Sequence, residues 1–109
     1  MASHILVVSE WLPKDNHEQT LFESFQELAR ITLEKEKGCL KYHVTRQISH
    51  PGTKGESKFA ILLIQEYENI EAFNKHCDSE HVSDFSKKHV GDESTSIIKD
   101  WRCRVFSEA

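Results

Sequence analysis

The sequence predicts an α+β domain whose elements follow the order β-α-β-β-α(α)-β. Three observations lead to this prediction: a helical period between two strand-like segments, a third strand that is apolar on both faces, and two short amphipathic segments before a last alternating one. With 109 residues, of which 38% are hydrophobic and 29% charged, the chain suits one globular domain over residues 1–109. All elements should therefore share one core.

The first strand and the first helix are separated by a change of period. Residues 4–11, HILVVSEW, are rich in aliphatic and β-branched side chains and end shortly before a proline. Across residues 21–33 the apolar side chains recur at three- and four-residue steps, which places them on one face of a helix. Asn16, followed three residues later by Gln19, is predicted to cap this helix, and Gly38 is predicted to close it.

Two strands are predicted after this helix. Segment 39–48 alternates apolar and polar residues, and the side that begins with Leu40 is expected to be buried. A turn-rich loop at residues 49–57 separates it from the third strand, KFAILLIQEY, at residues 58–67. Because residues 59–64 are apolar at both parities, both faces of the third strand should be covered.

Two short helices and a final strand complete the pattern. Asn69 and Ser79 are each predicted to cap a short helix, and each helix has one stripe of residues predicted to face the core. The two stripes consist of Ile70, Phe73 and Cys77, and of Val82, Phe85 and His89. A loop then precedes an alternating segment at residues 97–106. This order is that of the ferredoxin-like fold, a four-stranded antiparallel sheet with its helices on one face.

The uncovered face of such a sheet predicts self-association. Apolar side chains of the third strand would remain on that face, and an identical sheet from a second chain is the simplest cover. Burying three such side chains contributes about 5–8 kcal/mol before the cost of association. We therefore expect a homodimer that packs sheet to sheet.

Charge, hydropathy and cysteine usage argue against several classes of protein. The net charge is −4 and the basic residues are scattered, whereas nucleic-acid binding requires a basic face. The apolar runs are far shorter than the ~20 residues of a membrane span, and the N-terminus lacks the pattern of a secretion signal. Cys39, Cys77 and Cys103 form no CxxC pair, which indicates reduced thiols in a cytoplasmic protein, each expected to be a small core residue.

Two stretches of the chain form motifs that extend across the predicted elements. The first is EKGCLKYHVTR at residues 36–46, and the second is QEYENIEAFNKHCDSEHV at residues 65–82. Both resemble the signatures of the antibiotic biosynthesis monooxygenase domain family, and the element order is similar across nearly the whole chain. In the second motif the residues at the family's spacing are Glu68, Ala72, His76, Ser79 and His81. The resemblance implies a dimeric α/β barrel with a pocket in each subunit between sheet and helices.

The chain departs from the family's pattern at positions that matter for chemistry. The family's tryptophan at the end of the third strand is Tyr67 here, and the glutamate two residues earlier is Gln65, so a carboxylate that could orient or activate a substrate is lost. Haem-degrading relatives use an asparagine, the tryptophan and a histidine at positions that align with Val8, Tyr67 and Ser86. Because all three are replaced, we expect no haem and no other cofactor.

The resemblance implies oxidation of a small aromatic or quinol-type substrate by O₂ without a cofactor. The deprotonated substrate supplies the electrons, so the protein need only remove a proton, hold the anion and exclude water. Histidine suits proton removal near neutral pH because its unperturbed pKa is ~6.5, and aromatic side chains suit the walls of such a pocket. The predicted catalytic residues are His76, Tyr67 and His81, and the predicted substrate contacts are Gln65, Phe73 and Phe85.

Less specific interpretations stay open for these residues. His76 and His81 could be surface or capping histidines, and Phe73 and Phe85 could be ordinary core residues. A metal site is not predicted, because the five-residue spacing of the two histidines is not the i, i+4 face on which helical ligands meet. The same histidines would also suit an isomerase that works through an enediolate in a more polar pocket. A small-ligand-binding module without catalysis is the third alternative.

The remaining histidines are predicted to lie at the surface. His43 and Tyr42 open onto opposite faces of the second strand, so Tyr42 is expected to pack and His43 to face a partner chain or solvent. Histidines near chain ends or loops are expected to be solvated, and these are His4, His17, His50 and His89.

Overall fold

The computed structural model describes residues 3–109 and has the predicted order of elements. The strands are β1 (Ile5–Pro13), β2 (Cys39–Arg46), β3 (Ile61–Tyr67) and β4 (Ile98–Ser107), and the helices are α1 (Glu18–Lys35), α2 (Ile70–Cys77) and α3 (Glu80–His89). The strands pair antiparallel in the order β2-β3-β1-β4. The ferredoxin-like α+β prediction is confirmed.

The structure bears only in part on the predictions about a secretion signal and a membrane span. The proposed lack of a secretion signal concerns an N-terminal stretch whose first residues, Met1 and Ala2, lie outside the described residues. Over residues 3–109, no helix has the length and apolar character that crossing a bilayer requires.

The core lies between the helices and one face of the sheet, which we call the covered face. On this face Val7 of β1 and Ile61 and Leu63 of β3 are almost completely buried. They belong to one cluster with Leu21 and Phe25 of α1. Alternate residues of the same strands point to the opposite face, because successive side chains in a strand alternate. Helix α1 therefore buries Leu21 and Phe25 as its periodicity predicts, whereas Leu33, near its end, is exposed.

Helix α1 begins differently from the prediction. Its N-cap residue is His17, whose side chain makes no capping hydrogen bond. Asn16 instead adopts a left-handed conformation with φ of 67° in the turn before the helix, a conformation that asparagine tolerates better than most residues. Gln19 donates its hydrogen bond to Glu23 within the helix. The predicted capping box is wrong because the chain uses Asn16 for the turn.

Gly38 does not close helix α1, which ends at Lys35. The glycine is needed for another reason: a Cβ at Gly38 would lie 2.6 Å from the Cβ of Ala72. The carbonyl of Gly38 also accepts a hydrogen bond of 2.9 Å from the backbone N–H of Glu68. The predicted glycine C-cap is therefore wrong, and Gly38 permits the close approach of the start of β2 to helix α2.

Strand β2 contains a bulge that changes which residues are buried. The pairing register with β3 shifts between Cys39 and Lys41, which places Leu40 in the irregularity. Cys39 and Tyr42 are consequently both buried, while Leu40 is exposed. The prediction that Leu40 is buried is wrong, whereas Tyr42 packs and His43 is exposed, as expected.

The sheet face opposite the helices, which we call the open face, has no cover from residues 3–109. Ile64 of β3 is 36% exposed and Phe106 of β4 is 39% exposed. In the antiparallel register Val8 lies opposite Ile64, and Leu6 lies opposite Phe106, so these apolar residues share the open face. One face of β3 is thus covered, as predicted, and the described residues leave its other face uncovered.

The last strand is less buried than its alternation predicts. In β4 only Ile98 is buried, while Trp101, Cys103 and Val105 are exposed. These three residues do lie on the covered side of the sheet, opposite Trp11, Ser9 and Val7 in the register. They stay accessible because β4 is an edge strand beyond the reach of the helices.

One further prediction about a single side chain is wrong. His89 is buried against the ring of Phe85, with ring centroids 5.0 Å apart, whereas His4, His17 and His50 are exposed as predicted. His89 lies on the apolar stripe of α3, and that stripe decides its burial.

The three cysteines do not share one environment. Cys39 is buried, and burial raises the pKa of its thiol to about 11, which makes it a poor nucleophile. Cys77 and Cys103 are exposed, so the prediction that each is a core residue is wrong for these two. Both flank a cavity, which explains their exposure.

Candidate functional site

A cavity of about 260 Å³ lies between the covered face of the sheet and the helices. Strands β1 and β3 supply its floor, which includes Ser9 and Gln65, and helices α2 and α3 supply a roof that includes Phe73 and Phe85. Most of the lining is aliphatic or aromatic. The sequence places it there because alternate strand residues and the apolar helix stripes face one another.

Aromatic rings form one end of the cavity. The indole of Trp11 stacks on that of Trp101, with centroids 5.0 Å apart and an interplanar angle of 9°. Trp11 also contacts Phe25 at 4.8 Å, and Phe25 in turn stacks on Phe85 at 5.0 Å. Because Trp101 is exposed on the edge strand, these rings extend from the solvent into the cavity and suit a flat apolar ligand.

Two polar side chains are buried on the cavity floor. Ser9 is 3% exposed and Gln65 is 5% exposed. The Ser9 hydroxyl oxygen accepts a 2.8 Å hydrogen bond from Trp11 Nε1, and Gln65 Oε1 accepts one from the Tyr67 hydroxyl. Burial raises the pKa of Tyr67, so this hydroxyl stays protonated as the donor. The serine O–H and the glutamine N–H₂ therefore remain as donors for a bound ligand.

His76 is the titratable imidazole of the cavity wall. It lies in the last turn of α2, is 6% exposed, and packs its ring 5.3 Å from Tyr67 and 6.1 Å from Tyr42. Its Nδ1 lies 2.8 Å from Glu36 Oε2. Burial lowers the pKa of His76, and the Glu36 carboxylate opposes that shift. When Nδ1–H donates to the carboxylate, Nε2 carries the lone pair and is available to the cavity.

A second imidazole contacts the same carboxylate. Ser79 caps α3 by accepting from Val82 N–H, and its hydroxyl donates to the His76 carbonyl at 2.7 Å. The resulting turn between α2 and α3 places His81 Nε2 2.5 Å from Glu36 Oε2. His76 and His81 therefore converge despite their five-residue spacing, because the turn between α2 and α3 overrides helical periodicity.

Sequence reasoning missed the residue that connects the two histidines. Glu36 follows the last residue of α1, where its backbone N–H donates to Thr32 O at 2.9 Å. It is the first residue of the EKGCLKYHVTR motif, and its place in that motif was the available signal. Nothing in the local pattern places this carboxylate beside residues forty positions later, because that contact depends on the packing of α2 against β2.

The structure brings four of the six predicted site residues together on the cavity wall, namely Gln65, Phe73, His76 and Phe85. Tyr67 and His81 do not line the cavity. Tyr67 is fully buried behind the wall, where it positions Gln65, and His81 borders a separate groove between α1 and α3. Of the positions aligned with haem-degrading relatives, Val8 lies on the open face, while Ser86 lines the cavity.

Comparison with known proteins gives a family and a set of similar structures. The family model described as antibiotic biosynthesis monooxygenase matches residues 4–88. No curated protein matches the sequence.

Several solved structures are similar over nearly the whole chain. A protein of Shewanella oneidensis has a TM-score of 0.77 at 16% identity, covering 99% of this chain and 93% of that one. A Caulobacter crescentus protein, provisionally named an antibiotic biosynthesis monooxygenase, has a TM-score of 0.76 at 18% identity, covering 99% and 92%. A Bacteroides thetaiotaomicron protein of unknown function, described as a possible oxidoreductase, has a TM-score of 0.76 at 14% identity, covering 98% and 99%. These identities are low, so the structures support the fold.

Proposed function

Because the chain belongs to the antibiotic biosynthesis monooxygenase family, we propose that it oxidises a small aromatic or quinol-type substrate with O₂ in the cavity between sheet and helices. The observation that carries the proposal is the pairing of Glu36 with His76 at a buried wall of an aromatic cavity. The carboxylate holds one imidazole nitrogen as a donor, so the other is an acceptor for a substrate proton. We place His76 as the general base and Glu36 as the residue that positions it.

The surrounding groups suit the anion that proton removal produces. The Ser9 hydroxyl and the Gln65 amide are donors inside a site with little water, where a hydrogen bond to an oxyanion is strong. Trp11 and Phe85 offer flat surfaces for the substrate rings. Tyr67 then acts through Gln65, whose orientation it fixes, and His81 acts through Glu36.

The electrons balance with O₂ as the sole oxidant. For an anthrone, His76 removes a proton and the resulting anion transfers electrons to O₂. The ring CH₂ loses two hydrogens and becomes C=O with one oxygen atom, and the second oxygen atom leaves as water. The residues of this chain bind the ring, accept and return the proton, and exclude bulk water.

The polarity of the cavity favours this reaction over the isomerase alternative. An enediolate route needs several polar groups that converge on a carbonyl compound. Aromatic and aliphatic side chains outnumber polar ones on the wall, and the rings of Phe73 and Phe85 lie at the roof. A cavity of about 260 Å³ also lies just below the usual range of small-molecule sites, which suits a substrate of no more than three fused rings.

We also propose that the protein works as a homodimer joined through the open face. Ile64 and Phe106 are support for this arrangement, because exposed apolar residues on a sheet are stabilised by a second sheet. Glu10 and Arg102 lie opposite each other in the register of that face and can form polar contacts at the rim of such an interface. The cavity lies on the other side of the sheet, so the interface leaves it accessible.

Oxygen uptake with a bicyclic hydroquinone such as menadiol, and with an anthrone, tests the proposed reaction. With ¹⁸O₂ the anthrone product should gain one labelled oxygen atom. His76→Ala should lower turnover by ~10²-fold or more while the elution volume of the dimer stays unchanged. His17→Ala, at an exposed histidine far from the cavity, is the matched control. Equal turnover of His76→Ala and the native chain would reject His76 as the base, and binding without oxygen uptake would indicate a binding module.

A further inference from the structure

Glu36, His76 and His81 meet although they come from three different elements. One ligating atom of each lies within 4.8 Å of those of the other two, and all three side chains are largely buried. Two imidazole nitrogens and one carboxylate oxygen form the donor set of many zinc sites, and of non-haem iron sites with open positions. Of the three, only His76 lines the cavity, while Glu36 and His81 lie behind its wall.

We propose that Glu36, His76 and His81 form a binding site for a divalent transition-metal ion such as Zn²⁺. The ligand atoms are Glu36 Oε2, His76 Nδ1 and His81 Nε2. The two imidazole nitrogens lie 2.8 Å and 2.5 Å, respectively, from the carboxylate oxygen. In a tetrahedral zinc site with bonds of about 2.0–2.1 Å, ligand atoms lie about 3.3 Å apart. Small side-chain rotations that open the two hydrogen bonds are therefore sufficient to admit the ion.

A second observation points to a ligand at the same carboxylate. Glu36 Oε1 is buried and has no hydrogen-bond partner within residues 3–109. A buried carboxylate oxygen without a partner is costly, and a metal ion bound by both oxygens would remove that cost. Glu36 borders a groove that Glu68 and Glu71 also line, and His81 borders the groove on the other side, so the ion has a path from solvent.

Metal binding would change what His76 presents to the cavity, a step that rests on the proposed function. A neutral imidazole has one lone pair. When the metal takes the lone pair on Nδ1, the proton must reside on Nε2. His76 would then donate a hydrogen bond into the cavity and could no longer accept a proton from a substrate. We therefore expect Zn²⁺ to inhibit turnover.

Metal titration of the full chain without substrate tests the site. Isothermal titration calorimetry with Zn²⁺ should show one ion per chain, and Co²⁺ should give the visible bands of a tetrahedral N/O site. Glu36→Gln and His81→Gln keep side chains of similar size, and each should weaken binding by ~100-fold or more. His17→Ala should bind as the native chain does, because its histidine is exposed and distant.

Two results would overturn the metal site. The first is equal affinity and stoichiometry in the native chain and in folded His81→Gln, with circular dichroism as the check on folding. The second needs no variant: native protein that takes up no Co²⁺, or that gives only the octahedral spectrum of weakly held ions. Neither result depends on turnover, and the loss of turnover in His76→Ala does not depend on metal, so the two proposals fail separately.

Discussion

Each face of the sheet carries some side chains that a monomeric domain would not place there. The covered face, beneath three helices, buries the polar side chains Ser9 and Gln65. The open face, which no described residue covers, presents Val8, Ile64 and Phe106. Strands β1 and β3 supply residues to both sets, because side chains alternate along a strand, and β4 adds Phe106.

The buried polar residues are explained by function, and the exposed apolar residues by the stability of an assembly. Burying Ser9 and Gln65 has a free-energy cost that an apolar pair would avoid, so the chain retains them for what they contact. Gln65 is held by Tyr67, which is the arrangement expected of a group that must keep one orientation. On the open face the unfavourable free energy comes instead from apolar side chains exposed to water, and a second sheet would remove that exposure.

The largest effect should come from a charge on the open face. Ile64→Glu would place a carboxylate from each chain into the proposed interface, where a charge without a partner costs several kcal/mol. We expect the dissociation constant of the dimer to rise by ~10³-fold or more, about 4 kcal/mol. Sedimentation velocity over a concentration series measures the change.

The control for this variant is another exposed leucine or isoleucine on the far side of the molecule. Leu33 is 47% exposed on α1, which packs on the covered face. Leu33→Glu should leave the dissociation constant of the dimer unchanged. A native chain that sediments as a monomer at all concentrations, or equal behaviour of the two variants, would contradict the assignment of the open face.

The covered face depends on how closely α2 approaches the sheet, and Gly38→Ala tests that contact. The added methyl group would lie 2.6 Å from Ala72 Cβ, so α2 or the start of β2 must move. Overpacking of this kind costs about 2–3 kcal/mol in the free energy of unfolding. Urea denaturation followed by circular dichroism measures it.

Gly91→Ala is the matched control for the contact at Gly38. A Cβ at Gly91 would lie 3.6 Å from the nearest atom, Ser86 O, which is an ordinary van der Waals distance. Its effect should stay within about 0.5 kcal/mol. A Gly38→Ala chain as stable as Gly91→Ala would show that the approach of α2 is not fixed at this glycine.

The sequence predicts the order of elements better than the details that shape the site. The spacing of apolar residues distinguishes helix α1 from strand β3 without any knowledge of what packs against them. This is possible because the spacing depends only on which side chains of one element are buried. The bulge at Leu40 and the close contact at Gly38 depend on what packs against β2, and neither leaves a local pattern. His89 differs from these two cases, because its burial follows from the apolar stripe of α3, which the sequence already indicates.

The residues of the candidate site likewise include some that the sequence could place and some that it could not. Gln65, Phe73 and His76 could be placed from the motif, and Phe85 from the apolar stripe of α3, because they lie on elements whose orientation the periodicity predicts. Glu36 could not, since it meets His76 only through tertiary packing. Tyr67 shows the limit of strand alternation: it lies on the covered face as expected, yet behind the cavity wall rather than on it.

The smallest effect concerns the hydrogen bond that holds Gln65 on the covered face. Tyr67→Phe leaves Gln65 Oε1 buried without its donor, which should lower the free energy of unfolding by about 1–2 kcal/mol. Adding Gln65→Leu should restore part of that stability, because both polar partners are then replaced, while turnover stays low. Tyr42→Phe is the control for stability, since its hydroxyl has no hydrogen-bond partner in the described part of the chain. If Tyr67→Phe and Tyr42→Phe unfold alike and the double variant recovers nothing, Gln65 is not held as proposed, and the polar covered face loses its functional explanation.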